Sequence, residues 1–418
     1  MSSSVLFDES QRYFPGGVNS PVRYYRPNPV FIKKGKGSRI FDADGKQYID
    51  YCLGYGPMIL GHANEKFSES LKARIEDGIL FGSPTEEENI LASKIREAIP
   101  SVEKMRFTNS GTEATMHAIR LARAHTKRKI ILKMEGGYHG AHDYSLIKAG
   151  SGSLTFGTPS SPGVPEEISR TVVLGEYNNI DSIRKIFSEM GDQIAAVITE
   201  PVMGNVGVVP PKEGFLQELR EICDRNSSLL ILDEVITGFR FGYHGYQDLA
   251  NLKPDLTTLG KIIGGGLPIG LFGGRADIMD EISPSGKVYE AGTFSGNPVS
   301  VSGGIATLDV LRNSDYSHLT GLTEKLAAGI SDIAERAGED VQINQIGPMF
   351  QVFFNSRKVS KYADAISSNS ERFFEIFTRA LQEGIYMPPS QFETNFLSFA
   401  HSESDIEETI SAFEQIWN

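Results

Sequence analysis

Two ionisable side chains follow apolar runs of the sequence that are predicted to be buried strands. Asp233 follows the apolar run Leu229–Leu232, and Lys261 follows Asp255–Leu259 after a single glycine. A carboxylate in such a position has limited solvation and needs a cationic partner. A lysine that is desolvated in the same way has a lowered pKa, so its neutral amine can form a Schiff base with a carbonyl compound.

A third candidate position follows the predicted strand Lys104–Phe107. Ser110, Gly111 and Thr112 open the next predicted helix, where free backbone amides and hydroxyls form a phosphate site. Ser110 and Glu113 also match a helix capping box, which by itself explains the serine hydroxyl. Because the two interpretations compete for that hydroxyl, the phosphate is assigned chiefly to the amides and to Thr112.

Each of these residues has an ordinary structural explanation when it is taken alone. Lys261 could be an edge lysine with a buried stem and a solvated amine. Asp233 could be the partner of a nearby arginine such as Arg240. Together, however, a phosphate cradle, a lysine for an aldehyde and a carboxylate for a ring nitrogen are what pyridoxal phosphate requires. The set predicts a site for that cofactor.

The elements that must position these residues alternate between strands and helices from about residue 85 onward. This alternation predicts right-handed crossovers and a mainly parallel sheet covered on both faces, an α/β fold. Ligands of such sheets bind outside the carboxyl ends of the strands. The predicted strands and helices are Lys104–Phe107, Lys129–Lys133, Ile194–Thr199, Leu229–Leu232, Asp255–Leu259, Glu86–Ile99, Glu113–Ala124 and Gly214–Arg225.

The remaining segments suggest a second, smaller domain. Residues 1–50 are predicted to form an amino-terminal arm and a small β segment, with short strands in Val30–Tyr51. Residues 51–305 are predicted to form the large cofactor-binding domain, and residues 306–418 a small α+β domain that opens with a long helix after Gly304. The irregular segment Ala149–Pro165 is rich in glycine and proline, which is typical of a functional loop such as a lid.

Composition limits the range of partners. The net charge of -12 argues against nucleic acid or an anionic membrane as the main partner. Cys52 and Cys223 are the only cysteines, which suits a reducing compartment and offers no disulfide framework. The first residues do not read as a signal peptide, and there is no spanning apolar run. A cytoplasmic protein is expected.

The sequence resembles class III aminotransferases of fold type I. This resemblance rests on the segments Asn109–Ala114, Asp233–Phe239 and Leu259–Gly266 and extends over nearly the whole chain. A narrower resemblance, to the aminomutases of this family, rests on five further segments: Gly16–Arg23, Gly56–His62, Ala149–Gly152, Ser161–Pro165 and Pro389–Glu393.

By this resemblance, Lys261 would form a Schiff base with the aldehyde of pyridoxal phosphate and act as the proton shuttle, and the cofactor would also occur as pyridoxamine phosphate. Asp233 would pair with the pyridine nitrogen, and Tyr138 would stack on the ring. Asn205 would approach the ring hydroxyl, and His139 would also contact the cofactor.

The resemblance also implies a homodimer with shared active sites. Ser110, Gly111 and Thr112 would hold the phosphate, and Thr293 would reach it across the dimer interface. A transient contact with the enzyme that supplies an unstable aldehyde substrate is a further expectation.

The substrate is expected to be a small molecule with a carboxylate. Ser20 and Arg23 would bind that carboxylate, for which a guanidinium fork is suited. Tyr55 and Glu393 would border the same pocket. The pair Gly54-Tyr55 departs from the Ser-Trp that the family usually has, which makes it the place to look for a change in specificity.

Three functions remain open at the level of sequence. The leading one is an intramolecular exchange of an amino group through a diamino intermediate. The second is an ordinary transamination with a separate oxo acid, which would need a further carboxylate clamp. The third is a cofactor-binding protein without catalysis. A metal site at His139, His142 and Asp143 is disfavoured because the spacing is loose and no further ligands are near.

Overall fold

The computed structural model describes residues 1–148 and 158–417. Its helices are α1 (Ser3–Ser10), α2 (Glu65–Glu76), α3 (Glu86–Ala98), α4 (Gly111–Thr126), α5 (Glu166–Ser169), α6 (Ile180–Met190), α7 (Phe215–Arg225), α8 (Tyr246–Leu249), α9 (Ala276–Met279), α10 (Pro298–Leu311), α11 (Tyr316–Arg336), α12 (Tyr362–Ile366), α13 (Ser370–Gln382) and α14 (Glu403–Trp417). Short 3-10 turns lie at Pro15–Gly17, Pro21–Arg23, Leu53–Tyr55, Gly191–Gln193 and Lys261–Gly264.

The strands of the described residues fall into four sheets. In chain order they are β1 (Ile32–Lys36), β2 (Arg39–Asp42), β3 (Gln47–Asp50), β4 (Lys104–Thr108), β5 (Ile130–Met134), β6 (Ile147–Lys148), β7 (Thr158–Pro159), β8 (Val172–Gly175), β9 (Ile194–Thr199), β10 (Leu229–Asp233), β11 (Leu256–Gly260), β12 (Gly270–Gly274), β13 (Val341–Ile346), β14 (Met349–Phe354), β15 (Ile385–Tyr386) and β16 (Asn395–Phe396).

The largest sheet has seven strands in the order β4-β12-β11-β10-β9-β5-β8. The pairs β11–β10, β10–β9, β9–β5 and β5–β8 are parallel, whereas β12 runs antiparallel to both of its neighbours. The expected α/β fold with a mainly parallel sheet is therefore confirmed.

Apolar side chains cover this sheet on both faces, as its continuous apolar strands require. On one face, helix α4 packs through residues such as Leu121 against Ile131 and Ile231. On the other, helices α6 and α7 pack through residues such as Phe215 against Leu232. Each buried aliphatic side chain contributes about 1.5–3 kcal/mol. These two cores hold the carboxyl ends of the strands at one fixed edge.

A second region joins the two ends of the chain. Strand β15 pairs in parallel with β3, so that a late segment completes the sheet begun by β1 and β2. Tyr25 and Tyr51 from the early chain pack in one core with Phe377 and Phe413 from the late chain. This core supports the expectation of a small domain made from both ends, although the bounds 1–50, 51–305 and 306–418 stay a prediction.

Three details differ from the sequence expectations. Strands β8 and β12 were not predicted. Helix α10 begins at Pro298 rather than after Gly304, because the Asn297 side chain accepts the amides of Val299 and Ser300 and proline suits the first turn. Of the expected loop Ala149–Pro165, residues 149–157 lie outside the described part of the chain. Within the described ranges, no helix is long and apolar enough to cross a membrane.

Candidate active site

A cavity of about 360 Å³ opens at the carboxyl ends of β4, β9, β10 and β11. This is the edge at which ligands of parallel sheets bind. The predicted site residues that line it are Ser110, Gly111, Thr112, Tyr138, His139, Asn205, Asp233 and Lys261. With Tyr138 and His139, which follow β5, the ends of five strands supply one site.

Lys261 leaves strand β11 in a strained conformation with φ at 46°. Its Nζ donates a hydrogen bond of 2.6 Å to the carbonyl of Tyr55. Burial lowers the pKa of Lys261, and the nearby positive charge of Arg240 lowers it further. The predicted neutral amine is therefore favoured by two features of the structure, its desolvation and a neighbouring cation.

Arg240 is fully buried and lies beside Lys261 without a carboxylate partner among the described residues. Its Nη2 donates to the carbonyl of Gly56 at 2.6 Å, and its Nε donates to the carbonyl of Ile236 at 2.7 Å. Because Tyr55 and Gly56 are adjacent, one short loop accepts hydrogen bonds from both cations.

Asp233 ends strand β10 and is buried. Its Oδ2 lies 2.7 Å from Nδ1 of His139, and its Oδ1 accepts the Thr258 hydroxyl at 2.9 Å and the Val235 amide at 3.1 Å. The alternative that Asp233 pairs with Arg240 is wrong, because the guanidinium is held by main-chain carbonyls. Asp233 is instead fixed by a histidine, with a free approach from the cavity.

His139 is a support for Asp233. Burial lowers the pKa of His139 even though the Asp233 carboxylate raises it, so the imidazole is neutral and donates through Nδ1. His142 contacts the Thr115 hydroxyl through Nε2 at 3.2 Å. Each of the two histidines therefore has a side-chain partner through one ring nitrogen.

At the start of helix α4, the side chains of Ser110 and Glu113 accept hydrogen bonds from different backbone amides. The Ser110 hydroxyl accepts the Glu113 amide at 3.2 Å and so acts as the cap. The Glu113 carboxylate does not return to the Ser110 amide, as a capping box requires, but accepts the Asn109 amide at 2.8 Å. In the described part of the chain, the amides of Ser110, Gly111 and Thr112 therefore keep their donors available to the cavity.

Tyr138 and Asn205 also line the cavity. The Tyr138 side chain is 48% exposed, so its ring is open to stacking. The Asn205 amide donates to Oε2 of Glu200 at 3.1 Å. Sequence reasoning missed Glu200, although it directly follows the apolar strand β9 and the rule that found Asp233 would have found it.

The expected substrate residues lie on loops rather than at strand ends. The Tyr55 hydroxyl donates to the carbonyl of Val22 at 2.6 Å, so it touches the turn that carries Arg23. Ser20 is half-buried and Arg23 is exposed. Burial raises the pKa of Glu393 while the Lys261 charge lowers it, which places Glu393 close to the site. Ser20, Arg23, Tyr55 and Glu393 are not part of the cavity wall, and their role in binding the substrate stays a prediction.

Thr293 lies elsewhere in the chain. It lines a second cavity, of about 760 Å³, together with Phe81 and Arg106. Close to it in the chain, Phe294 is 56% and Tyr289 is 71% exposed. Thr293 thus does not join the site of its own chain.

This arrangement of a strand-end lysine, a buried aspartate and a free helix amino terminus agrees with the chain's relatives. Residues 22–416 match the sequence profile of the family Aminotransferase class-III. The chain belongs to the class-III aminotransferases, which confirms the resemblance stated above.

The relatives also bear on the narrower resemblance. A protein of Thermoplasma volcanium named glutamate-1-semialdehyde 2,1-aminomutase is 58% identical over 415 residues, covering 99% of both chains. The structure of an omega-transaminase from Sphaerobacter thermophilus matches with a TM-score of 0.94 and 34% identity, covering 99% of this chain and 97% of that one. A glutamate-1-semialdehyde-aminomutase from Pseudomonas aeruginosa PAO1 in complex with PMP matches with a TM-score of 0.89 and 26% identity, covering 99% and 93%. The resemblance to the aminomutases is confirmed by the first and third of these.

Proposed function

We propose that this protein is a glutamate-1-semialdehyde 2,1-aminomutase. It would convert (S)-4-amino-5-oxopentanoate to 5-aminolevulinate by intramolecular amino exchange through 4,5-diaminovalerate, a step that supplies tetrapyrrole biosynthesis. The observation that carries this proposal is the sequence identity of 48–58%, over nearly the full length, with several proteins of that name. In addition, the predicted cofactor-binding residues line one cavity. The backbone alone does not separate the two activities, since an omega-transaminase has the same fold.

Pyridoxal or pyridoxamine 5'-phosphate would supply an electron sink for the carbanion formed at the reacting carbon. The residues present fit this group. The free amides of Ser110, Gly111 and Thr112 suit the phosphate, and Asp233, with a side open to the cavity, suits a protonated ring nitrogen. His139 would act indirectly, by holding Asp233.

Two further residues would contact the cofactor ring. The half-exposed Tyr138 would cover one face, and Asn205 would meet the ring oxygen. Both line the cavity beside Asp233, and Asn205 is held from behind by Glu200. The position of the cofactor ring would therefore be set by three side chains, those of Tyr138, Asn205 and Asp233.

Lys261 would hold the cofactor and move the proton in each half of the reaction. A neutral amine is required for both roles, and the lowered pKa of Lys261 supplies it. The Tyr55 carbonyl, which accepts from Nζ, would keep the amine near the reacting carbon between transfers.

The substrate carboxylate would bind to Ser20 and Arg23. Tyr55 connects this turn to the loop that faces Lys261, so the two ends of the substrate site share one support. Glu393, whose pKa burial raises, would border the amino or aldehyde end. A small molecule with one carboxylate fits this arrangement better than a pair of amino and oxo acids.

The active unit would be a homodimer. Thr293 would complete the phosphate site of the partner subunit, because it lines a separate open cavity instead of the one that contains Lys261. The two cysteines are free and buried, in keeping with a cytoplasmic location. A transient contact with the enzyme that delivers the unstable semialdehyde belongs to the same proposal.

The test is 5-aminolevulinate formation by the purified protein with glutamate 1-semialdehyde and no other amine or oxo acid. Product in large excess over active sites supports the aminomutase, because an ordinary transaminase stops after one half-reaction. Product that never exceeds one equivalent per site would rule out the aminomutase and favour an ordinary transaminase. Tyr55 would then be the first residue to examine.

A further inference from the structure

Two buried glutamates lie near the site, and their hydrogen bonds differ. Glu200 and Glu234 are 3% and 1% exposed. Each oxygen of Glu234 accepts two hydrogen bonds. Oε1 accepts the backbone and side-chain amides of Gln247, and Oε2 accepts the Tyr246 amide and the Thr237 hydroxyl. Burial raises the pKa of Glu234, but the four donors around its carboxyl group lower it and favour the carboxylate.

Glu200 has donors on one side only. Its Oε2 accepts the Gly204 amide at 3.0 Å and the Asn205 side-chain amide at 3.1 Å. Its Oε1 is buried and has no hydrogen-bond partner in the described part of the chain. The Tyr138 amide faces the carboxyl group without completing a hydrogen bond to Oε1. A bare buried carboxylate oxygen costs more than a buried acid hydroxyl, so this pattern favours the neutral acid.

We propose that Glu200 is a positioning residue held as a neutral carboxylic acid, whose Oε2 fixes the Asn205 amide at the cavity wall while Oε1 carries the proton. Because Oε2 accepts a hydrogen bond and does not donate one, the Asn205 side chain must present its amide nitrogen to Glu200. With Glu200 neutral, Asp233 is the one charged acid among the residues that line the cavity in the described chain.

The charges around Glu200 agree with this state. Burial raises the pKa of Glu200 to about 8, and the Asp233 carboxylate adds to the increase, while the Gly204, Asn205 and Tyr138 donors lower it. Lys261 and Lys133 are the cations that face it. Neither neutralises it, because Lys261 donates to the Tyr55 carbonyl and Lys133 to the carbonyls of Ser145 and Ile147. Tyr177 also faces this group.

The consequence for the reaction depends on the proposed function. There, Asn205 meets the ring oxygen of the cofactor, so a change in the charge of Glu200 would alter the environment of the ring. Ionisation of Glu200 at alkaline pH would place a second negative charge beside Asp233. We therefore expect the absorption spectrum of the bound cofactor to change with pH as Glu200 ionises.

The first test is infrared difference spectroscopy of the full-length protein against the Glu200→Gln variant. At about pH 6, where an acid with this raised pKa is protonated, the wild-type protein should show the carbonyl band of a carboxylic acid that the variant lacks. At about pH 10 that band should be lost. Absence of the band at the lower pH would overturn the proposal.

Matched glutamine variants provide the control. Glutamine copies a neutral acid in having one acceptor oxygen and one donor group, so Glu200→Gln should fold and keep the melting temperature of the wild-type protein near pH 6. Glu234→Gln should lower the melting temperature, because an amide nitrogen cannot accept two of the four hydrogen bonds. A Glu200→Gln protein that unfolds as readily as Glu234→Gln would contradict the neutral state.

The ionisation of Glu200 also makes the stability of the folded protein depend on pH in a known direction. A carboxyl group whose pKa is higher in the folded than in the unfolded protein makes stability fall as pH rises between the two values. From the ordinary carboxyl range up to about pH 8, the wild-type protein should therefore lose stability relative to Glu200→Gln. A constant difference would overturn the proposal.

Pyridoxal phosphate itself is the probe for the functional part. Its bound spectrum should change near pH 8 in the wild-type protein and stay constant in Glu200→Gln. If the variant shows the same transition, Glu200 does not set the state of the ring and the positioning role is wrong. If the protein binds no pyridoxal phosphate at all, the proposed function fails while the infrared band and the stability data still decide the state of Glu200.

Discussion

The cofactor side and the substrate side of the site are built in different ways. On the cofactor side, Asp233 and Lys261 are fixed by buried strands, and Ser110 begins a helix that packs on the same sheet. On the substrate side, Arg23 and Tyr55 lie on short turns that are joined by the hydrogen bond from the Tyr55 hydroxyl to the Val22 carbonyl. Rigid elements fix catalytic groups more exactly than loops do, whereas loops tolerate change. The difference suggests that the chemistry is fixed by the sheet and the choice of substrate by the loops.

The largest effect is expected from Lys261→Ala, which removes the group at the centre of the cofactor side. Turnover should fall by at least about 10²–10⁴-fold, the usual contribution of a general acid–base catalyst. The fold should persist, and pyridoxamine phosphate should still bind, because its contacts to the helix amino terminus and to Asp233 remain. Steady-state kinetics and a binding titration measure both, with the exposed Lys185→Ala as control. Full activity of Lys261→Ala would refute the assignment.

Arg240→Met tests the connection between the two sides. Without the guanidinium, the Gly56 carbonyl loses its donor, so the free energy of unfolding should fall by about 1–3 kcal/mol. The pKa of Lys261 should rise, because a neighbouring positive charge is lost. The acid limb of the pH–activity profile should then move to higher pH.

The matched variant for this experiment is Arg240→Lys, which keeps the positive charge but not the fork of donors. It should lose stability and leave the acid limb near its wild-type position. If the two variants shift the profile equally, the effect of Arg240 is structural and not electrostatic.

Tyr55→Phe should affect the substrate side alone. The hydroxyl bonds to the Val22 carbonyl at 2.6 Å, and loss of one such hydrogen bond is worth about 1 kcal/mol, or roughly a fivefold rise in KM. Affinity for pyridoxal phosphate should not change. Tyr13→Phe, at an exposed tyrosine, serves as the control. A comparable loss of cofactor affinity would show that the two sides are not separable.

The smallest effect is expected from Ser110→Ala. Its hydroxyl caps helix α4, so the free energy of unfolding should fall by about 0.5–2 kcal/mol. Cofactor affinity should change by less than about twofold, because the phosphate would be held by amides that the substitution leaves in place. Thermal unfolding and a cofactor titration decide this, and a tenfold weaker affinity would assign the hydroxyl to the phosphate instead.

The sequence predicted the cofactor side because its residues follow uninterrupted apolar runs. Asp233 and Lys261 were found in this way, and the same rule applies to Glu200 after β9. The partner of Asp233 was not predictable, because His139 lies 94 positions away and only the packed sheet brings it near. Likewise, Arg240 and Gly56 are 184 positions apart.

Strand β12 was missed for a physical reason. Three of its five residues are glycines, which by propensity disfavour a strand. A Cβ atom on Gly270 would lie 2.1 Å from the Ser110 carbonyl oxygen, so glycine is required where β12 passes the start of helix α4. A close approach between backbones selected this composition, and such an approach is visible only in the folded structure.

The strand-end lysine is proposed to hold the cofactor, and a second buried lysine makes a direct test possible. Burial lowers the pKa of Lys133 to about 8, so Lys133 is also a candidate nucleophile near the site. The measurement is borohydride reduction of the protein with pyridoxal phosphate, followed by peptide mass mapping of the stable adduct. One adduct per chain is expected, on the peptide that contains Lys261. An adduct on Lys133, with Lys261 unmodified, would contradict it.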